Sequence, residues 1–422
     1  PGMFQQFTAT SEGWTKSAPE PFWSFPELDY GASEREALDC VRMELERAVR
    51  DQLVADVPVG VFLSGGLDST VLAGLAAQHN ARTQTFTVGF SDQPDFSEMH
   101  LAADTAARFG LPHVPINLPG HEAEAAVVDW LAAADQPSID GLNTFVISQA
   151  VRQQGIKVAL SGLGSDELFG GYPSFRDVPR LARVNRRIAW CPAGVRRGAT
   201  AVMTARQPRA VARKLADMMA RGGNLSDLYF HRRRTLSNRE MDDLGLSPLR
   251  LELTPHYQQP SLTEGFDEGD AVRTISELES RFYQGNMLLR DSDVMGMAHG
   301  LEIRVPFLDR RLLDTVHALP GAVRLPRRAA GKHLLRGAFT DLLRPELLKR
   351  PKTGFTLPLS RWMLGPLRGV CQQSLRACTE IAELPGPAVR RVWDEFVSEP
   401  AGPQWTRALA LVALGDYLRR NF

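Results

Sequence analysis

A short apolar run, Val59-Gly60-Val61-Phe62-Leu63, leads straight into Ser64-Gly65-Gly66-Leu67-Asp68-Ser69, and a helix-like stretch over residues 69–79 follows. A strand that ends in a glycine turn and passes at once into a helix points to an open α/β sheet. Such sheets bind ligands at the carboxyl ends of their strands. Two adjacent glycines let the backbone approach an anion closely, and the free N–H groups at a helix start, with the helix dipole, favour negative charge. Ser64 and Ser69 add hydroxyl donors. Asp68 has the wrong charge to touch a bare phosphate, so its place here makes sense if Mg²⁺ bridges it to the phosphates. The stretch is neither a Walker A loop nor a dinucleotide-binding GxGxxG turn. A Gly-Gly pair alone is an ordinary turn; the whole hexapeptide after an apolar strand is a sharper signal.

Strand-like and helix-like segments alternate around this turn. Ser33 and Glu36 form a capping box, and Leu38, Val41, Leu45, Val49 and Leu53 follow at helical spacing, which predicts a helix over 34–54. Strands are expected at 84–88, 113–118 and 157–160, with helices at 97–110, 121–134 and 144–154. Short apolar strands between helices imply a parallel sheet covered on both faces. Beyond about residue 175 the strand signal fades and a large helical part follows. The expected organisation is an extended arm over 1–30 with a short strand near 3–9, an α/β core over 31–175, and a mainly helical remainder over 176–422.

Composition narrows the function classes. Hydrophobic residues make up 43% and charged residues 23% of the 422, the balance of a globular protein. Lys+Arg and Asp+Glu are each 49, so the net charge is zero and nothing global calls for nucleic acid or an anionic membrane. No apolar stretch is long enough to span a bilayer. The four cysteines, Cys40, Cys191, Cys371 and Cys378, form no CxxC pair, which suits a reduced, cytoplasmic chain. No signal peptide is read. One local feature stands apart. Residues 176–214 carry ten Arg and Lys214 against the single acid Asp177. The expectation is a solvated arginine-rich helical face, with a nucleic-acid surface as the weaker alternative.

A second glycine-rich turn, Ser161-Gly162-Leu163-Gly164-Ser165-Asp166-Glu167-Leu168-Phe169-Gly170-Gly171-Tyr172, follows the last core strand. Asp166 is either a helix N-cap or a second acid completing a Mg²⁺ site with Asp68.

The first hexapeptide resembles the pyrophosphate loop of the N-type ATP pyrophosphatases, and the second turn is similar to a motif in the synthetase domain of class B asparagine synthetases. Met297-Ala298-His299-Gly300-Leu301-Glu302-Ile303-Arg304-Val305-Pro306-Phe307-Leu308-Asp309, Gly331-Lys332 through Arg336, and Arg350-Pro351-Lys352-Thr353-Gly354-Phe355 with Pro358 and Trp362 resemble further segments of that family, in the same order. The likeness runs from about residue 31 to about 420. It implies a parallel sheet of the adenine nucleotide α-hydrolase type. It also implies an ATP- and Mg²⁺-dependent ligase that adenylates a carboxylate, releases pyrophosphate and transfers ammonia or an amine. By the resemblance, Ser64, Gly65, Gly66, Leu67, Asp68, Ser69, Ser161, Gly162 and Gly164 hold the phosphates, and Asp68 and Asp166 hold Mg²⁺. Val88 and Phe90 lie near adenine. Lys352 neutralises charge on the α-phosphate and leaving pyrophosphate, with Lys332 behind it as a weaker candidate. Asp293 and Glu167 face the acyl-adenylate or incoming amine. Glu302 and Arg304 read as a structural ion pair.

Two departures bear on the substrate. Leu163 stands where asparagine synthetases carry Glu, which puts ammonia activation and selection of aspartate in doubt and favours another acceptor acid. A lactam or macrolactam former is the alternative within the class; a tRNA-modifying ATP pyrophosphatase and an inactive scaffold are the alternatives outside it. The family's N-terminal glutaminase domain begins with a catalytic Cys, whereas this sequence begins Pro1-Gly2-Met3. The arm up to Trp23 resembles the end of that domain, so a glutaminase domain or partner chain is expected as the nitrogen source, with free ammonia or an amine as the alternative. A homodimer stays open.

Overall fold

The computed structural model describes residues 3–11, 13–90, 99–118, 120–205, 207, 209–220, 224–246, 269–350 and 358–422. Four short strands open the chain: β1 (Met3–Phe4), β2 (Phe7–Thr10), β3 (Gly13–Lys16) and β4 (Glu20–Pro21). β2 pairs with β3 and β1 with β4, all antiparallel, so the arm is a hairpin rather than one short strand and an extended tail. The chain then packs down. Trp23 Nε1 donates to Asp314 Oδ1 at 2.8 Å, and Phe25 stacks edge-on against His317.

Helix α1 (Glu34–Gln52) starts at the capping box, where Ser33 accepts from the Glu36 N–H and the Glu36 carboxylate takes the Ser33 N–H. Its apolar stripe, Ala37, Val41, Leu45, Ala48 and Val49, is buried. β5 (Val59–Phe62), α2 (Leu67–His79), β6 (Gln84–Phe90), α3 (Met99–Phe109), β7 (His113–Leu118), α4 (Gly120–Ala133), α5 (Leu142–Gln153) and β8 (Val158–Leu160) follow, each within a few residues of its sequence-based range. α2 is buried on every side from Ser69 to Ala76, as expected of a helix lying between the sheet and α1.

The main sheet has the order β7-β6-β5-β8-β9 and is parallel throughout. Its fifth strand, β9 (Glu302–Arg304), is not anticipated by the sequence. It pairs with β8 from Val158↔Glu302 to Leu160↔Arg304 and forms the sheet edge. Glu302 and Arg304 do form an ion pair, at 2.7 Å, and Arg304 also donates to the carbonyls of Gln52 and Val54. Beyond Ser165 the regular elements among the described residues are helices, apart from β9. No described helix is long and apolar enough to cross a membrane.

Candidate active site

β5 and β8 lie side by side, so the two glycine turns that follow them open on one edge of the sheet. In the first turn Ser64 Oγ and Ser69 Oγ lie 3.1 Å apart. Ser69 Oγ accepts from the Ser64 N–H at 3.2 Å, and Ser64 Oγ accepts from the Gly66 N–H at 3.3 Å. Gly65 has φ +69°, and a Cβ there would stand 2.8 Å from Leu101 Cβ, so glycine is required for both backbone and space. No side chain caps the N-terminus of α2 at Gly66, which leaves its first N–H groups facing outward.

The second turn leads into a one-turn helix, α6 (Ser165–Phe169). Its residues reach back to the first: Ser165 Oγ donates to Asp68 Oδ1 at 2.6 Å. A third segment completes the cleft. Lys332 adopts φ +61°, a left-handed conformation uncommon for a side-chain-bearing residue, and its N–H is held by the Phe169 carbonyl. Its ammonium lies 2.5 Å from Asp68 Oδ2 and 2.8 Å from Asp166 Oδ1. Burial opposes charge on Lys332, but the two carboxylates outweigh it and raise its pKa. Gly171 makes room for this contact, since a Cβ there would overlap the Asp166 carboxylate and crowd the Lys332 side chain.

Glu167 is buried at 1% exposure and accepts a 2.7 Å hydrogen bond from the Tyr172 hydroxyl. Burial, and then the charge of Asp166, push its carboxyl up to about 7. Tyr172 in turn meets Tyr283 edge to face, and the Arg233 guanidinium covers both rings at 4.4 and 3.8 Å.

Ser64, Gly65, Gly66, Leu67, Asp68, Ser69, Ser161, Gly162, Gly164, Asp166, Glu167 and Lys332 all line one cleft of about 820 Å³. Val88 lines a smaller apolar cavity of about 190 Å³ beside it, with Thr87, Ile147 and Ile303. Ser64, Ser161 and the half-buried Leu163 border both. The main chain of Phe90 pairs with Leu118 in β6 and β7, and its side chain lies outside the described residues, as does Lys352.

Asp293 is the exception. It is exposed and borders neither cavity, while Asp291 and Ser292 of the same helix (Leu289–Met297) are buried and Ser292 lines the small cavity. Residues two apart on a helix point about 200° from each other, so only one of the two acids can face inward. Three cleft arginines, Arg176, Arg336 and Arg350, were not assigned from the sequence. Arg336 was within reach of it, since it closes the same Gly331–Arg336 segment that contains Lys332.

The donor set at Asp68 and Asp166 is made of hard carboxylate oxygens beside serine hydroxyls, which suits Mg²⁺ completed by phosphate and water rather than a softer metal. The described residues alone present no cluster of three or more metal-ligating side chains.

A parallel sheet with two glycine turns at its carboxyl edge, closed by a lysine between two acids, defines an open α/β fold with a polar cleft at the ends of adjacent strands. The chain belongs to the asparagine synthase family, which matches residues 40–415. A Mycobacterium tuberculosis protein named as a candidate glutamine-hydrolysing asparagine synthetase is 32% identical over 333 residues, covering 77% of this chain and 49% of that one. Glutamine-hydrolysing asparagine synthetase 1 of Bacillus subtilis is 29% identical over 351 residues (79% and 52%), and amidase chry2 of Gibberella zeae 28% over 397 (82% and 57%). The chain spans about half the length of these curated relatives.

Proposed function

We propose that the protein is an ATP-dependent amide-forming ligase. The observation that carries this reading is the position of the Lys332 ammonium, 2.5 Å from Asp68 and 2.8 Å from Asp166, beside the uncapped start of α2. That cleft suits a triphosphate, and the apolar cavity lined by Val88, Ile147 and Ile303 suits a flat base next to it. In the first step a carboxylate oxygen of the acceptor acid attacks the α-phosphorus. An acyl–adenylate bond forms, the bond to the β-phosphate oxygen breaks, and pyrophosphate leaves with the electron pair. In the second step a nitrogen nucleophile attacks the acyl carbon, loses a proton, and AMP leaves.

Lys332 and the N–H groups of the glycine turn stabilise the charge that builds on the phosphates. Mg²⁺ bound to Asp68 and Asp166 would shield the phosphate oxygens as a Lewis acid. Glu167, with its carboxyl near 7, is suited to accept the proton the nitrogen loses. Leu163 borders both cavities and brings no carboxylate to them, which supports an acceptor other than aspartate. The amidase among the similar proteins points the same way. A glutaminase domain or partner would supply ammonia.

The test is pyrophosphate release from MgATP across a panel of carboxylic acids, with and without ammonium. Acid-dependent release, with amide formed once ammonium is added, is the expected result. Release that ignores every acid, or no ATP binding, would sink the reading.

A further inference from the structure

A second cavity, larger than the phosphate cleft, lies beside it. It measures about 1160 Å³ and lies among the helices Ser174–Ile188, Arg209–Ala220, Leu225–Arg233 and Trp405–Asn421 and the π-helical segment Glu279–Leu288. It adjoins the cleft directly. Asp177 borders both spaces, and Tyr283 on the cavity wall packs against Tyr172 of the cleft.

Part of its wall is apolar, with Val184, Leu215, Met218 and Phe282, and part is strongly cationic. Most of the cations are matched by acids. Arg233 pairs with Glu279 at 2.6 Å, Arg407 with Glu240 at 3.2 Å, Arg290 with Asp291 at 2.7 Å and Arg232 with Asp177 at 3.4 Å. Lys214 is different. It is half-buried on this wall and has no hydrogen bond or ion pair among the described residues. Burial, and then the guanidinium groups of Arg232, Arg407, Arg233 and Arg234, push its ammonium down to about 8, so it still carries charge at neutral pH. The arginine-rich segment 176–214 is therefore not simply a solvated face: Arg213 clamps Glu395 and Lys214 lines the cavity. An uncompensated cation held among other cations costs stability unless an anion joins it.

We propose that this cavity seats the remote end of the acceptor acid, an organic acid carrying a second anionic group on an apolar stem, with Lys214 as the counter-charge. The proposal rests on the ligase reading above, which makes the adjoining cleft the place where the near carboxylate reacts. The stem lies along the apolar wall, and the remote carboxylate or phosphate meets Lys214. A charged pair left without its partner in such a setting loses about 1.5–3 kcal/mol, or roughly ten- to hundredfold in affinity.

The experiment uses the whole chain and its Lys214→Met and Lys214→Arg variants, with octanoate, octyl phosphate and octanol as binding probes and suberate and octanoate as acceptor acids. Calorimetry is expected to show both anions binding the parent protein. Lys214→Met should weaken them at least about tenfold, Lys214→Arg should retain them, and octanol should not sense the substitution. The stronger of the two anions tells a carboxylate-ended from a phosphate-ended acceptor. In pyrophosphate release, suberate should have a lower KM than octanoate. Lys214→Met should remove that advantage, raising the KM for suberate to that for octanoate, without moving the KM for ATP. No anion binding to the parent, or equal binding by Lys214→Met, overturns the proposal. Pyrophosphate release indifferent to Lys214 would overturn it while the ligase reading stands. Lys214-dependent binding with no release for any acid would fail the ligase reading instead.

Discussion

The glycine-turn cleft and the helical cavity are neighbours built by opposite means. The cleft is made largely of backbone: two glycine turns at adjacent strand ends, fixed by the sheet, with the Lys332 ammonium matched against Asp68 and Asp166 at its centre. The cavity is made mostly of side chains from five helical segments, its cations come from separate parts of the chain, and the half-buried Lys214 among them has no acid beside it among the described residues. A site made from backbone carries a contiguous sequence signature. A site made from scattered side chains carries none, and it is free to change with the ligand it serves.

The sharpest way to break this contrast is to unmatch the cleft. Lys332→Ala is expected to lower pyrophosphate release by about 10²–10³ and to cost about 3 kcal/mol, because two carboxylates are left facing each other. Adding Asp166→Asn should restore part of the melting temperature and none of the rate. A stable, active Lys332→Ala enzyme would show that the cleft does not depend on its matched charges. Gly171→Ala comes next. The added methyl overlaps Asp166 beside Lys332, and turnover should fall about ten- to hundredfold with the fold retained on circular dichroism.

Smaller effects sharpen the comparison. The folded Glu167 carboxyl lies near 7 against an ordinary value of 4.5. Between those values the folded protein holds a proton that the unfolded chain releases, so this group's contribution to stability falls as pH rises through the window. Glu167→Gln keeps an oxygen for the Tyr172 hydroxyl and has no proton to lose. Its melting temperature relative to the parent should rise from pH 5 to pH 8, by the equivalent of about 1–3 kcal/mol. A flat difference would mean the carboxyl is not raised. The smallest expected change is at the far sheet edge. Glu302→Ala removes an exposed partner of Arg304 and should cost less than about 1 kcal/mol with turnover unaffected, as measured by urea unfolding and pyrophosphate release.

Much of this architecture is legible before any coordinates. The capping box of α1, the apolar runs of β5 to β8 and the two glycine turns are local patterns, and local physics fixes them. β9 is hidden because three residues, Glu302-Ile303-Arg304, with one apolar side chain between two charges, do not look like a strand; pairing with β8 makes them one. The N-terminal hairpin is exposed throughout, so no buried alternation announces it. In the cleft, Asp68, Asp166 and Glu167 are legible because they sit inside their turns. Lys332 reads as secondary to Lys352, since the only thing that distinguishes it is a contact across 264 residues. Asp293 fails on helix phase, and Lys214 is visible only as one more cation in a basic segment.

That sequence separation has a consequence for the chain as it is made. Asp68 meets Ser165 across 97 residues and Lys332 across 264. During synthesis the sheet from β5 to β8 can assemble early, yet the acid pair stays without its ammonium until residue 332, in the final quarter of the 422-residue polypeptide, has left the ribosome. A product arrested before residue 332 carries the recognisable signature and two facing carboxylates without their ammonium. The same holds for a gene truncated there: a fragment bearing both glycine turns is not a smaller version of this cleft.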